Sequence, residues 1–135
     1  MAIVLLDVAI PAAGTYTAAV FSLGELFSGA RGSVLLQGKM ANGASGTEVD
    51  AYVQSTADNG VTWYDVVCFK FNTGNKTRLV NLRTSTAVAT LATPTDGALT
   101  VDTSVDGLVG DVLRVKYVVT GNYSAGQVTV TAVPR

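Results

Sequence analysis

Val49-Asp50-Ala51-Tyr52-Val53-Gln54-Ser55-Thr56-Ala57-Asp58-Asn59-Gly60-Val61-Thr62-Trp63-Tyr64-Asp65-Val66-Val67-Cys68-Phe69-Lys70-Phe71 reads as two extended runs folded about a turn. Asn59-Gly60 supplies two residues that accept positive φ at low cost, the usual apex of a β-hairpin. An even-length loop there pairs Ala57 with Thr62, Ser55 with Tyr64, Val53 with Val66 and Ala51 with Cys68. Val49, Ala51, Val53, Tyr64, Val66 and Cys68 then share a core-facing side, whereas an odd loop pairs Val53 with Asp65 and mixes the faces. The opposite side carries Tyr52, Trp63, Val67 and Phe69 among Asp50, Gln54, Thr56 and Asp65. Water seldom covers several large apolar side chains together. These four are therefore candidate interface residues, covered by a neighbouring chain or by the domain's own loops.

The same period-two alternation recurs on both sides of the hairpin. It predicts strands at Ile3–Ile10, Thr15–Phe21, Ser33–Met40, Thr47–Thr56, Thr62–Phe71, Lys76–Arg83, Ala87–Thr93, Ala98–Thr103, Asp111–Thr120 and Gln127–Val133. Leu113, Val115, Tyr117 and Val119 alternate with Arg114 and Lys116, giving that strand a wet side. Asn42-Gly43, Gly74-Asn75, Asp106-Gly107 and Gly121-Asn122 mark further turns, so most joints are expected to be hairpins or short loops. Gly121–Gly126 is expected to join the last two strands as a hairpin. One helical turn fits only at Phe21–Phe27, and Gly24 opposes it. The expected fold is all-β: an antiparallel β-sandwich or jelly-roll-like domain of about eight to ten strands, spanning residues 1–135 as one unit.

Composition removes several function classes. Charged residues are 14 % and apolar residues 48 % of the 135, with a net charge of −1. Apolar runs are interrupted by Asp, Gly, Thr or Lys well before the roughly 20 residues that cross a bilayer. No membrane span is expected. Met1–Ile10 lacks the basic start and cleavage pattern of a secretion signal. The nine Lys and Arg residues are scattered, so no basic stripe is available for direct nucleic-acid binding. Cys68, the single cysteine, excludes an internal disulfide and suits a buried small hydrophobe. The sequons at Asn75 and Asn122 read as turns.

Catalytic patterns are equally sparse. There is no histidine to serve as the base of an acyl-transfer site. Glu48, Asp50 and Asp65 lack a defined cleft for glycoside hydrolysis. Asp102, Asp106 and Asp111 do not follow the EF-hand spacing. The reading is of a non-enzyme with no cofactor and no metal. Thr56-Ala57-Asp58-Asn59-Gly60-Val61-Thr62-Trp63 resembles the Asp-box hairpin of β-propellers, which implies a structural turn built by Asp58, Asn59, Gly60 and Thr62 and closed by Trp63.

Tyr52-Val53-Gln54-Ser55 followed by Asp58-Asn59-Gly60-Val61-Thr62-Trp63-Tyr64-Asp65-Val66 resembles small β-sandwich virion proteins of tailed bacteriophages. Leu113-Arg114-Val115 and the closing Gln127-Val128-Thr129-Val130-Thr131 are similar to the terminal strands of that family. The resemblance implies a capsid decoration (cement) protein, or a neck or tail component, acting as a homo-oligomer with the major capsid protein or other virion proteins as partners. It implies a place in the virion, after assembly in the host cytoplasm. A carbohydrate- or cell-surface-binding module, with Trp63 or Tyr123 stacking on sugar rings, is the alternative.

Overall fold

The computed structural model describes residues 2–22, 32–84 and 87–135. Their strands are β1 Ile3–Ala9, β2 Gly14–Thr17, β3 Phe21–Ser22, β4 Ser33–Ala44, β5 Glu48–Thr56, β6 Trp63–Phe71, β7 Gly74–Arg83, β8 Val112–Thr120 and β9 Ala125–Pro134. One sheet runs β1-β9-β4-β7; the other runs β2-β8-β5-β6, with β3 also on β8, and all pairings are antiparallel. The two sheets pack face to face as a β-sandwich. Alternation explains it: Val34, Leu36 and Met40 of β4, Val128, Val130 and Ala132 of β9, and Leu113, Val115 and Val119 of β8 turn inward into one buried cluster.

Three strand predictions change. The run Thr15–Phe21 divides into β2 and β3, which both pair with β8. Ala87–Thr93 and Ala98–Thr103 form no regular strand, because Pro94, Gly97 at φ 74° and Asp102 at φ 57° break the extended backbone. Of the helical turn suggested at Phe21–Phe27, Phe21 and Ser22 are strand and the rest lies outside the described residues.

The joints also differ from expectation. Among the described residues, only β5 and β6 form a hairpin of neighbours in sequence; β4 to β5, β6 to β7 and β8 to β9 each cross from one sheet to the other. Tyr123 closes this end of the sandwich. Its ring lies where a β-carbon on Gly46 would stand, 2.1 Å away, and its hydroxyl donates to the Asn72 carbonyl. One side chain thus ties together three corners, which is why Gly121–Gly126 is an inter-sheet corner and not a hairpin. Of the two sequon asparagines, Asn122 sits in the corner between β8 and β9, whereas Asn75, expected in a turn, is the second residue of β7 and accepts from the Asn42 amide through its side-chain oxygen at 3.0 Å.

The open edge of β6 is covered by the irregular connection that leads from β7 to β8. Cys68 N donates to Thr103 O at 3.0 Å, Asp102 N to Cys68 O at 2.9 Å, and Val105 N to Val66 O at 2.8 Å. The same segment reaches the other sheet through Arg78 to Asp102 at 3.2 Å and Arg83 N to Asp106 at 2.6 Å. It therefore closes one side of the sandwich and removes an edge from exposure.

Candidate functional site

The hairpin begins in the expected register and then departs from it. Thr56 pairs with Trp63, Ser55 with Tyr64 and Gln54 with Asp65, but Val53 pairs with Val67 and Ala51 with Phe69. Val66 is the extra residue of a β-bulge, and every position beyond it changes face. The expectation that Val67 and Phe69 share the outer side with Tyr52 and Trp63 is overturned: both lie in the core between the sheets. Cys68 moves the other way, to the outer face beside Tyr52. Of the four candidate interface residues, Tyr52 is 6 % exposed and Val67 and Phe69 are 3 % each, so the chain covers them itself. Trp63 alone is half-buried.

The turn is built as the motif implies. Thr56 Oγ1 donates to Asp58 at 2.9 Å and accepts from Gly60 N at 3.0 Å, while Asp58 accepts from Thr62 N at 2.7 Å. Asn59 and Gly60 hold φ values of 59° and 87°. Trp63 Nε1 donates to Gly60 O at 3.1 Å. These bonds hold the Asp58 carboxyl below the usual carboxylate range, the Thr62 amide foremost.

Behind the turn lies a polar clasp. Asp65, 4 % exposed, accepts from Gln54 Nε2 at 2.8 Å, Gly97 N at 2.9 Å, Thr95 Oγ1 at 2.9 Å, Ala98 N at 3.0 Å and Leu99 N at 3.1 Å. A carboxylate can be buried only with partners of this kind. Gln54 extends the network, donating to Asp96 at 2.7 Å and accepting from Arg114 Nε at 2.8 Å, and Lys116 pairs with Asp96 at 3.0 Å. The Arg114 guanidinium lies 4.2 Å from the centre of the Trp63 ring. The alternating "wet" residues of β8 thus become fasteners for the 95–99 segment.

Further along the same face, Glu48 and Asp50 stand one residue apart, with Lys70 paired to Glu48 at 3.2 Å. Desolvation, reinforced by a hydrogen bond and repulsion from Glu48, raises the Asp50 carboxyl to about 7. Burial likewise pushes the Cys68 thiol up to about 12, so it stays protonated and a poor nucleophile. Asp102 and Asp106 are spent on fastening: Asp102 accepts from Lys70 N at 3.2 Å and Asp106 from Gly107 N at 3.1 Å. Tyr123, packed on Gly46, is occupied at the far corner.

No protein family, curated protein or solved structure matches the chain significantly.

Two recesses flank the clasp. The first, about 420 Å³, is mainly apolar, with Tyr64, Val88, Leu91, Leu99, Val105 and Leu108 among its walls. The second, about 510 Å³, lies between the hairpin tip and the 94–96 segment, with Val61, Thr62, Trp63, Pro94, Asp96 and Arg114 on its walls. Leu91 is 99 % exposed and Val61 83 %, at the rims of these recesses. Sequence reasoning missed Gln54, Asp65, Asp96 and Arg114 as a unit. The signal was the placement of a carboxylate and an amide opposite one another beside the turn.

Proposed function

We propose that this chain is a structural protein of a tailed-phage virion, a capsid decoration (cement) protein that stabilises the head through oligomeric contacts. The resemblance of the hairpin and closing strands to such proteins suggests the class. The observation that carries the reading further is the exposed apolar set of Leu91, Val61 and Val88, with Leu91 fully in solvent. Burying one leucine of this kind is worth about 1.5–3 kcal/mol, which a partner gains and the isolated chain forgoes. The β6 edge is already covered, so association there proceeds by side-chain docking and not by strand addition.

The test is particle binding and mass measurement in parallel. The wild-type protein is expected to form a homo-oligomer and to co-sediment with virions, located by labelling on the head. Val61→Ser with Leu91→Ser is expected to weaken that binding about 30-fold, the scale of an interface hot spot, with an unchanged Tm. A protein that stays monomeric and is absent from purified particles overturns the proposal, and labelling at the neck or tail moves it there.

A further inference from the structure

The recess beside Trp63 has properties that capsid docking does not require. We propose that it binds a neutral saccharide, with Trp63 as the apolar wall and Asp96 and Arg114 as the polar contacts. The proposal is independent of the virion reading.

Preorganisation is the first argument. Gln54, fully buried, holds Arg114 Nε through its carbonyl oxygen and Asp96 Oδ1 through its amide nitrogen. Lys116 fixes the same Asp96 oxygen at 3.0 Å. Trp63 is pinned by its bond to Gly60 O and by the guanidinium stacked on its ring. A ligand meeting these groups loses little side-chain freedom on their behalf.

Complementarity is the second. With Asp96 Oδ1 and Arg114 Nε engaged, the other carboxylate oxygen and the terminal guanidinium nitrogens have no hydrogen-bond partner among the described residues and are left to a ligand, one an acceptor and the others donors. Asp96 is half exposed, its side chain at 52 %. A phosphate or carboxylate meets the Asp96 charge, and a cation meets Arg114 and Lys116. Adjacent hydroxyls both donate and accept, so a neutral polyol satisfies both sides, while the indole, one face of which carries the Arg114 guanidinium, offers the remainder of its ring to the apolar edge of a pyranose. The recess, about 510 Å³, falls in the range of small-molecule sites, roughly 300–1,000 Å³.

Trp63 is the single tryptophan of the chain, so its fluorescence reports on this recess directly. The protein is titrated with the methyl glycosides of glucose, galactose, mannose and N-acetylglucosamine, and separately with inorganic phosphate. At least one glycoside is expected to give a saturable change and to shift the amide resonances of Gly60, Thr62 and Asp96. Asp96→Asn is expected to weaken that binding about tenfold or more, and Leu79→Ser to leave it unchanged. The proposal is overturned by the absence of any saturable response in the wild type, by phosphate giving the same response, or by resonance shifts that map elsewhere. Full-strength binding by a folded Asp96→Asn variant also overturns it.

Discussion

Phe69 rests against Gly38 of the facing sheet so closely that a β-carbon on Gly38 would stand 2.7 Å from its ring atoms. The glycine is a notch that admits the aromatic ring. Gly38→Ala is expected to destabilise the fold by about 1–3 kcal/mol through overpacking. Phe69→Leu is expected to cost less in the Gly38→Ala background than alone. Urea denaturation of the two single variants and the double variant measures this coupling; simple additivity would contradict the notch.

Asp65 makes a second, polar prediction. Asp65→Ala leaves the amides of Gly97, Ala98 and Leu99 without their acceptor. It is expected to cost about 3 kcal/mol, either as unsatisfied donors or as an undocked segment. Hydrogen exchange distinguishes the two routes, since undocking accelerates exchange at residues 97–99 ahead of the β-sheet amides.

Asp50 predicts a pH dependence of definite sign. Its carboxyl rises from 3.8 to about 7 on folding, so the folded chain holds the proton more tightly. The stability this contributes is complete below about pH 4 and is lost as pH rises to about 7. Asp50→Asn is expected to gain on the wild type across that interval, by about 1 kcal/mol once partial solvent exposure is allowed for. Asp58 and Asp96 have lowered values, so their contributions are present at neutral pH and fall away in acid. Melting temperatures of both proteins from pH 4 to 8 read Asp50 together with Glu48, whose lowered value rests first on its hydrogen bond with Asp50, in the difference between the curves.

Gly60 at φ 87° anchors the turn prediction. Gly60→Ala is expected to cost about 1–2 kcal/mol, the penalty of a β-carbon in left-handed backbone. The β5–β6 register should survive, because Thr56 and Asp58 still bind the loop amides. Cross-strand nuclear Overhauser contacts between Ser55 and Tyr64 check that.

Cys68 is expected to resist a thiol reagent in the native protein and to react fully in denaturant, since its thiol is buried and protonated. Rapid native labelling would show that the 102–105 cover opens readily.

Much of the architecture is legible from alternation and turn chemistry. Val34, Leu36, Met40, Val128, Val130, Leu113 and Val115 announce inward faces because the sandwich interior accepts only one side of each strand. The even hairpin loop follows from Asn59-Gly60. The bulge at Val66 is harder to see, yet an unbroken register carries an inward parity from Tyr64 and Val66 to Lys70, a conflict that only a slip relieves. Joint geometry is not written in turn residues at all. Gly121-Asn122 turns the chain equally well within one sheet or between two, and Tyr123 on Gly46 is a contact between segments distant in sequence. The clasp is obscure for the same reason: Asp65 receives its donors from residues 95–99, about thirty positions away.

Fastening the β7–β8 connection at Asp65, Asp102 and Asp106 divides labour within it. Between the β7 end and Thr95, the residues around Leu91 are exposed and contribute no regular sheet pairing. Substitutions at that tip therefore leave the fastened ends untouched, much as a tool keeps its handle while the bit is exchanged. For the engineer it is a natural place to graft a foreign epitope.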